Sequence, residues 1–230
     1  MFPATFFDFN GVLVNDEAVH FETFRQVLAP LGVTLTEAQY LQDYLGFDDA
    51  GAFRAILQAA GRQPTAAQIV ELIEAKRPLY MQQAAKSLPT FPGAAELVRQ
   101  RAAAGPSLVV SGALKDEIEL GLAVLGVRSS ILAIVSAEDT IACKPDPEGY
   151  LLGRKLLSQY ASESIAARAL VIEDSLAGVQ AAKAAQLACV GVAHTYTEQQ
   201  LWEAGADAVT KTLSELDESR LTALYRKLHD

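Results

Sequence analysis

The sequence predicts an α/β fold in which a doubly wound, Rossmann-like parallel sheet carries an inserted α-helical cap domain. Short apolar runs, each bounded by turn or acidic residues, alternate with segments of helical periodicity over most of the chain. Buried strands that alternate with helices build a parallel sheet covered on both faces. A single long helical interval interrupts this alternation near the N-terminus. The predicted strands are 5–9, 107–110, 131–135, 169–172 and 188–192.

The interval between the first two strands is too long for one crossover connection. Residues 16–88 have apolar positions at helical spacing and no strand pattern, so we expect them to form a separate cap that lies over the ligand site. The α/β core is then predicted to comprise residues 1–15 and 89–230. Its predicted helices are 93–104, 115–125, 148–157 and 177–186, and those of the cap are 21–31, 50–60 and 67–81.

Composition limits the classes of partner. The chain has 230 residues, 50% of them hydrophobic, and a formal net charge of -9. No Lys/Arg cluster supplies the positive surface that nucleic acids need, so small or phosphorylated metabolites are favoured as ligands. Cys143 and Cys189 are widely separated, without metal-ligand spacing. With no secretory leader and no membrane-spanning run, we expect a cytoplasmic protein without a membrane partner. No apolar run indicates an oligomeric state.

Polar residues follow three of the predicted strands, and a lysine precedes a helix. In open α/β sheets, ligands bind outside the carboxyl ends of the strands, so these groups are predicted to converge on one edge. The motifs are Asp8-Phe9-Asn10-Gly11, Ser111-Gly112, Lys144-Pro145 and Glu173-Asp174.

This ordered set resembles the haloacid dehalogenase superfamily, and in particular its phosphoglycolate phosphatase-like and β-phosphoglucomutase-like subfamily with a helical cap. The resemblance extends over nearly the whole chain. It implies a magnesium-dependent hydrolase of the phosphatase type, acting on a small phosphorylated metabolite through an aspartyl-phosphate on Asp8.

The resemblance also implies a role for each motif. The metal set is Asp8, the backbone carbonyl of Asn10, Asp174 and, close by, Glu173. The catalytic set is Asp8, Asn10, Ser111 and Lys144. The substrate- and phosphate-binding set is Gly11, Ser111, Gly112 and Lys144, with His20 and Arg54 as cap candidates. In this scheme Lys144 also offsets the negative charge of the carboxylates.

Asn10 departs from the family pattern. The phosphatases and mutases of the superfamily have a second Asp two residues after the nucleophile, which protonates the leaving group and then activates the incoming nucleophile. An amide exchanges no proton in the relevant pH range, although its backbone carbonyl still serves as a metal ligand. Loss of general acid-base catalysis costs about 10² to 10⁴ in rate.

Four explanations of Asn10 remain open at this point. The residue is native to an enzyme of acyl-phosphate-like or pyrophosphate-like substrates, or it marks a weakly active phosphate-binding pseudoenzyme. Alternatively, it is a substitution that traps an intermediate, or deamidation at Asn10-Gly11 restores an aspartate. Two other reactions of the superfamily, dehalogenation and phosphonate hydrolysis, fit the sequence less well. Dehalogenation leaves Glu173-Asp174 unexplained, and phosphonate hydrolysis needs a cap lysine earlier than Lys76.

The predicted cap bears on the choice between hydrolase and phosphomutase. β-Phosphoglucomutase-like proteins have an Arg near the position of Asp49 that grips a distal phosphate, and its absence favours hydrolysis over mutase activity. Arg54 is the candidate replacement cation. His20 matches a hinge-side histidine of mutase-like relatives and is a candidate for contact with the leaving group.

Overall fold

A computed structural model of the chain describes residues 1–229. The chain divides into two compact units, one formed by Met1–Asn15 with Pro89–Asp230 and the other by Asp16–Leu88. The helices, in chain order, are α1 Glu17–Leu28, α2 Glu37–Gln39, α3 Asp49–Ala59, α4 Ala66–Ala84, α5 Ala94–Ala104, α6 Lys115–Val124, α7 Glu148–Tyr160, α8 Glu163–Ala166, α9 Leu176–Ala184, α10 Glu198–Glu203 and α11 Glu218–His229.

The first unit is built on a six-stranded sheet with the order β3-β2-β1-β4-β5-β6, and every neighbouring pair is parallel. The strands are β1 Thr5–Phe7, β2 Ser107–Val110, β3 Ala133–Val135, β4 Leu170–Glu173, β5 Ala188–Val192 and β6 Ala208–Thr210. The strand order reverses at β1, which has β2 on one side and β4 on the other. This arrangement confirms the predicted doubly wound α/β fold.

Both faces of the sheet are buried. Phe6 pairs in register with Leu108 and Val171, and all three are fully buried in one large apolar cluster. The next residue along β1, Phe7, is equally buried, although its side chain points to the opposite face. A central strand buried on both faces is typical of a parallel sheet covered by helices.

The structure differs from the prediction in one additional strand and in the ends of two central strands. β6 was not predicted, because three residues are too few for a clear apolar run. β1 ends at Phe7 rather than at residue 9, since the chain bends at Phe9 and turns over residues 11–13. β4 extends one residue further than predicted, to Glu173.

The second unit is helical. It contains α1 to α4, with a 3₁₀ turn at Ala29–Leu31 and a π-helical turn at Tyr40–Tyr44 that the sequence did not predict. α4 begins at a capping box in which Thr65 and Gln68 satisfy each other's backbone N–H groups. The unit has an apolar core of its own, which includes Phe24, Phe53 and Ile56.

Among residues 1–229, none of the helices combines the length and apolar composition that crossing a bilayer requires. The cytoplasmic location stays a prediction, and so does the role of residues 16–88 as a cap.

Candidate active site

The candidate site lies at the carboxyl edge of the sheet in the first unit. Asp8 follows β1, Ser111 follows β2, and Asp174 follows β4. Parallel strands all end at the same edge, so the fold brings together side chains that are far apart in sequence. Lys144 reaches this edge from the segment that precedes α7.

Lys144 connects the carboxylates. Its Nζ lies 2.6 Å from Asp8 Oδ1 and 2.5 Å from Glu173 Oε1, and it also donates to the carbonyl of Val110 at 3.2 Å. The side chains of Asp8 and Lys144 are 10% and 20% exposed, so a small ligand still has access to both. One cation thus neutralises part of the charge of two buried acids.

Burial and neighbouring charges shift the pKa values of Asp8 and Lys144. Desolvation raises the pKa of Asp8 from 3.8 to about 7; the negative charge of Glu173 adds to this rise and Lys144 opposes it. For Lys144, desolvation works against the charged form, but Asp8 and Glu173 more than offset it and raise its pKa. Lys144 therefore remains a cation across the physiological pH range, whereas Asp8 is close to its titration midpoint.

Glu173 is fully buried and organises the loop after β4. Its Oε2 accepts hydrogen bonds from the backbone N–H of Asp174 and from both the N–H and the hydroxyl of Ser175. Its Oε1 accepts from Lys144 and, at 3.1 Å, from the Tyr150 hydroxyl. The carboxylate rests directly on α9, where a Cβ at Gly178 would lie 1.7 Å from Oε1. These bonds fix the direction of the loop that carries Asp174.

Asp174 packs against the turn that follows the nucleophile position. Gly11 has a φ of +76°, and a Cβ there would lie 2.0 Å from Asp174 Oδ2, so no other residue fits. Thr195 donates its hydroxyl hydrogen bond to the same Oδ2. Desolvation raises the pKa of Asp174 well above its usual value, Glu173 and Asp8 add to the rise, and the Thr195 bond opposes it.

The predicted phosphate-binding residues of the first two strands lie at the same edge. Ser111 is buried, and its hydroxyl accepts from the backbone N–H of Ala113 at 3.2 Å. The Ser111 hydroxyl also lies 3.4 Å from the Asn10 side-chain oxygen. Gly112 is exposed just beyond β2. The motifs after β1 and β2 are therefore in direct contact.

The turn at Asn10 and Gly11 is held by backbone hydrogen bonds. The Gly11 N–H donates to the Val14 carbonyl at 2.9 Å, and the Leu13 N–H donates to the Phe9 carbonyl at 2.8 Å. Deamidation of Asn10 requires the Gly11 nitrogen to attack the side-chain amide. That nitrogen would first have to leave its bond to Val14, which disfavours the deamidation hypothesis.

His20 belongs to a buried polar cluster in the second unit. Its Nδ1 accepts from Lys76 Nζ at 2.8 Å, and its Nε2 lies 3.2 Å from Asp16 Oδ2. Tyr80 donates its hydroxyl hydrogen bond to Asp16. Both ring nitrogens of His20 are thus engaged within this unit, and its predicted contact with substrate stays a prediction.

Asp48 and Asp49, an acidic pair in the second unit, both have partners within that unit. Asp48 caps α3 by accepting from the Gly51 N–H at 2.9 Å. Asp49 pairs with the fully buried Lys76 at 2.6 Å. Arg54, the candidate replacement cation, lies on the exposed side of α3, and its binding role stays a prediction.

The donor set at the sheet edge fits a divalent cation. Asp8, Glu173 and Asp174 each offer a carboxylate oxygen, and these three atoms all lie within 4.8 Å of one another. Hard oxygen ligands suit Mg²⁺, and three buried acids need positive charge nearby. Since Glu173 already accepts five hydrogen bonds, Asp8 and Asp174 are the carboxylates better suited to direct coordination.

Two neighbours of the site were not predicted. His194 and Thr195 lie in the turn that follows β5, one residue beyond its end, and His194 Nδ1 lies 2.8 Å from the Gly11 carbonyl. The rule that ligands bind at the ends of strands points to the end of every strand, including β5. The position of His194 and Thr195 after a predicted strand was therefore visible in the sequence. The pair was missed because it belongs to none of the motifs on which the family resemblance rests.

The sequence profile of haloacid dehalogenase-like hydrolases matches residues 5–192, which hold every group at this edge except His194 and Thr195. The chain belongs to the haloacid dehalogenase-like hydrolases. This membership confirms the family that the ordered motifs predicted.

Similarity to individual haloacid dehalogenase-like proteins extends over most of the chain. Validoxylamine A 7′-phosphate phosphatase of Streptomyces hygroscopicus subsp. limoneus is 30% identical, over 94% of this chain and 96% of that protein. Protein SUPPRESSOR OF QUENCHING 1, chloroplastic, of Arabidopsis thaliana is 33% identical over 90% of this chain, which spans only 19% of that protein's length. The solved structure of β-phosphoglucomutase from Clostridium difficile has a TM-score of 0.84 at 20% identity, with 99% of each chain covered, and supports the fold.

Proposed function

We propose that this hydrolase removes the phosphate group from a small phosphorylated metabolite, with Asp8 as the nucleophile and Mg²⁺ as the cofactor. The observation that carries the proposal is the Asp8 carboxylate itself, held by Lys144 at 2.6 Å among three acids at the carboxyl edge of the sheet. The Streptomyces relative, named as a phosphatase of validoxylamine A 7′-phosphate, supports this choice of substrate class.

In the first step, an Asp8 oxygen forms a bond to phosphorus as the bond between phosphorus and the leaving oxygen breaks. The product is an aspartyl-phosphate, and the leaving oxygen takes up a proton from solvent, because the Asn10 amide supplies none. Ser111 and Lys144 are suited to hold the phosphoryl oxygens, because one is a hydroxyl donor and the other a fixed cation.

In the second step, a water oxygen forms a bond to phosphorus as the bond between phosphorus and the Asp8 oxygen breaks. This regenerates the Asp8 carboxylate and releases inorganic phosphate, which carries the protons of the water or passes one to solvent. Asp8, Asp174 and the Asn10 backbone carbonyl would hold Mg²⁺, with Glu173 adding negative charge. When bound, the ion supplies charge that reduces repulsion between the carboxylate nucleophile and the phosphate dianion.

Asn10 sets the rate in this proposal. In both steps a proton must move, and an amide side chain supplies none. Substrates whose leaving group is a stable anion, such as acyl phosphates and pyrophosphates, lose least from its absence. Alkyl phosphates such as sugar phosphates lose most.

The deciding experiment is the Asn10→Asp variant, assayed for phosphate release from sugar phosphates, aryl phosphates and acyl phosphates, with Mg²⁺ and with chelator. We expect Asn10→Asp to raise kcat on sugar phosphates by about 10² to 10⁴ and to change acyl-phosphate turnover much less. The Asp8→Asn substitution should abolish turnover of all three substrate classes, whether Asn or Asp stands at position 10.

A second candidate function, a phosphate-binding protein with little turnover, is favoured by Asn10 alone. It predicts that phosphate binds in the presence of Mg²⁺ while Asn10→Asp gains no activity on any substrate. Isomerisation of a hexose phosphate without net phosphate release would instead identify a phosphomutase. Turnover that survives Asp8→Asn would refute the nucleophile assignment.

A further inference from the structure

His194 and Thr195, in the turn that follows β5, contact two residues of the candidate site, Gly11 and Asp174. Thr195 donates a hydrogen bond to Oδ2 of Asp174, the oxygen that also lies against the backbone of Gly11. One oxygen of Asp174 is thus immobilised between a hydroxyl and a glycine. The Thr195 hydrogen bond occupies Oδ2 and leaves Oδ1 available as a cation ligand.

His194 holds the other partner of this contact. Its Nδ1 lies 2.8 Å from the carbonyl oxygen of Gly11, and since a carbonyl only accepts, Nδ1 carries the hydrogen and donates it. The imidazole ring also stacks on Phe91, with ring centroids 3.9 Å apart and planes 7° from parallel. His194 therefore ties the turn after Asp8 to the segment where the chain re-enters the first unit.

We propose that His194 and Thr195 form a clamp that positions the Asp174 carboxylate and the Gly11 turn for cation binding. Neither residue touches the reacting atoms, so both are positioning residues. The proposal rests on the proposed function, because it takes Asp174 as a ligand of Mg²⁺.

The clamp restricts the rotation of the Asp174 carboxylate, which burial alone does not orient. Because the Thr195 hydroxyl fixes one oxygen before the cation binds, less conformational entropy is lost on binding. Hydrogen-bond partners of metal ligands typically contribute 10- to 100-fold to metal affinity. We expect an effect of that size from the Thr195 hydroxyl.

The test is the Mg²⁺ affinity of the full-length, metal-free protein, measured by isothermal titration calorimetry with the metal alone. Thr195→Val removes the hydroxyl at nearly constant volume and should weaken Mg²⁺ binding 10- to 100-fold. Thr195→Ser keeps the hydroxyl and should bind within about threefold of the wild type. Thr222→Val makes the same change in the half-buried part of α11 and should leave the affinity unchanged.

His194→Phe tests the other half of the clamp. It keeps an aromatic ring for Phe91 and removes the donor to the Gly11 carbonyl, so amide hydrogen exchange at residues 11–14 should accelerate. The Mg²⁺ affinity of this variant should also fall. Unchanged exchange and unchanged affinity would remove His194 from the clamp.

The outcomes separate the two proposals. If the wild type binds no Mg²⁺, the proposed function fails. If the wild type binds Mg²⁺ and Thr195→Val binds it equally well, only the clamp proposal fails. The clamp proposal also fails if Thr195→Ser binds Mg²⁺ as weakly as Thr195→Val. Should Thr195→Val prove unfolded by circular dichroism, Thr195→Ala replaces it with the same expected loss.

Discussion

Burial raises the pKa of Asp8 from 3.8 to about 7, so a proton competes with the proposed cation for this carboxylate. In the unfolded chain this carboxyl loses its proton near its ordinary pKa. Its contribution to stability in the metal-free protein is therefore fully present below about pH 4 and is lost as the pH rises through about 7. A cation that needs the carboxylate must displace the proton at lower pH.

We predict that Mg²⁺ binds at least about tenfold more weakly at pH 6 than at pH 8, because a proton must leave Asp8 at the lower pH and the raised pKa of Asp174 adds to the effect. Calorimetric titration in two buffers of different ionisation enthalpy measures the protons released. At least about one proton should be released at pH 6 and fewer at pH 8. Equal affinity and no proton release at pH 6 would contradict the raised pKa of Asp8.

Asn10 is the residue at this edge that departs from the family pattern. Asp8, Lys144 and the pair Glu173-Asp174 lie together there, while position 10, to which the resemblance assigns proton transfer, holds an amide. The individual roles of Asp8, Asn10, Ser111 and Lys144 stay predictions until the variants are assayed. Their convergence on one edge is a property of the fold.

Among the elements, α1, α3 and α4 share a buried polar cluster that the helical pattern did not predict. Lys76 on α4 is fully buried and contacts Asp49 at the start of α3 and His20 on α1. Helical spacing predicts which face of a helix is apolar, but it does not predict that a lysine on that face finds a carboxylate 27 residues earlier in the chain. The pairing is decided by tertiary packing.

We predict that Lys76→Met destabilises the protein by about 3 kcal/mol, at the lower end of the range for a broken buried ion pair, since Asp49 retains some exposure. The cost arises because the Asp49 carboxylate is left without its cation. The double variant Asp49→Asn with Lys76→Met should regain at least half of the loss. Urea unfolding followed by far-UV circular dichroism measures the free energies of unfolding of the wild type, of Lys76→Met, of Asp49→Asn and of the double variant.

Lys86→Met is the matched control, because Lys86 is exposed and its loss should change stability by no more than about 0.5 kcal/mol. A Lys76→Met protein as stable as this control would show that the buried pair contributes nothing. Full additivity of the two single variants would show the same.

The whole molecule consists of two compact units, and the carboxyl edge of the sheet belongs to the first of them. Trp202, the only tryptophan, lies on α10 in this unit and is half exposed. Its fluorescence therefore follows the unfolding of the unit that contains the acidic cluster.

We predict that Mg²⁺ stabilises the first unit by mass action, by about 2.7 kcal/mol when its free concentration is one hundred times Kd. The urea midpoint followed by Trp202 fluorescence should rise with Mg²⁺ and return to its starting value on addition of chelator. Asp174→Asn should abolish the shift, since it removes a ligand. A midpoint that Mg²⁺ leaves unchanged in the wild type would argue against a metal site at this edge.

The fold class and the family followed from the sequence because both depend on local patterns. Apolar runs, helical periodicity and the order of the Asp8, Ser111, Lys144 and Asp174 motifs are readable one segment at a time. Strand boundaries were less certain, and β6 was missed, because a three-residue strand gains its stability from its neighbour and not from its own sequence.

The tertiary structure alone decided which groups touch. The contacts of Gly11 with Asp174 and with His194 join segments separated by most of the chain, while Lys144 reaches Glu173 from 29 residues away and Thr195 reaches Asp174 from 21. Such contacts depend on the register and direction in which strands end at a common edge, which no local pattern encodes. The sequence by itself determined the chemistry available to this protein, and the packing of the sheet determined how that chemistry is arranged.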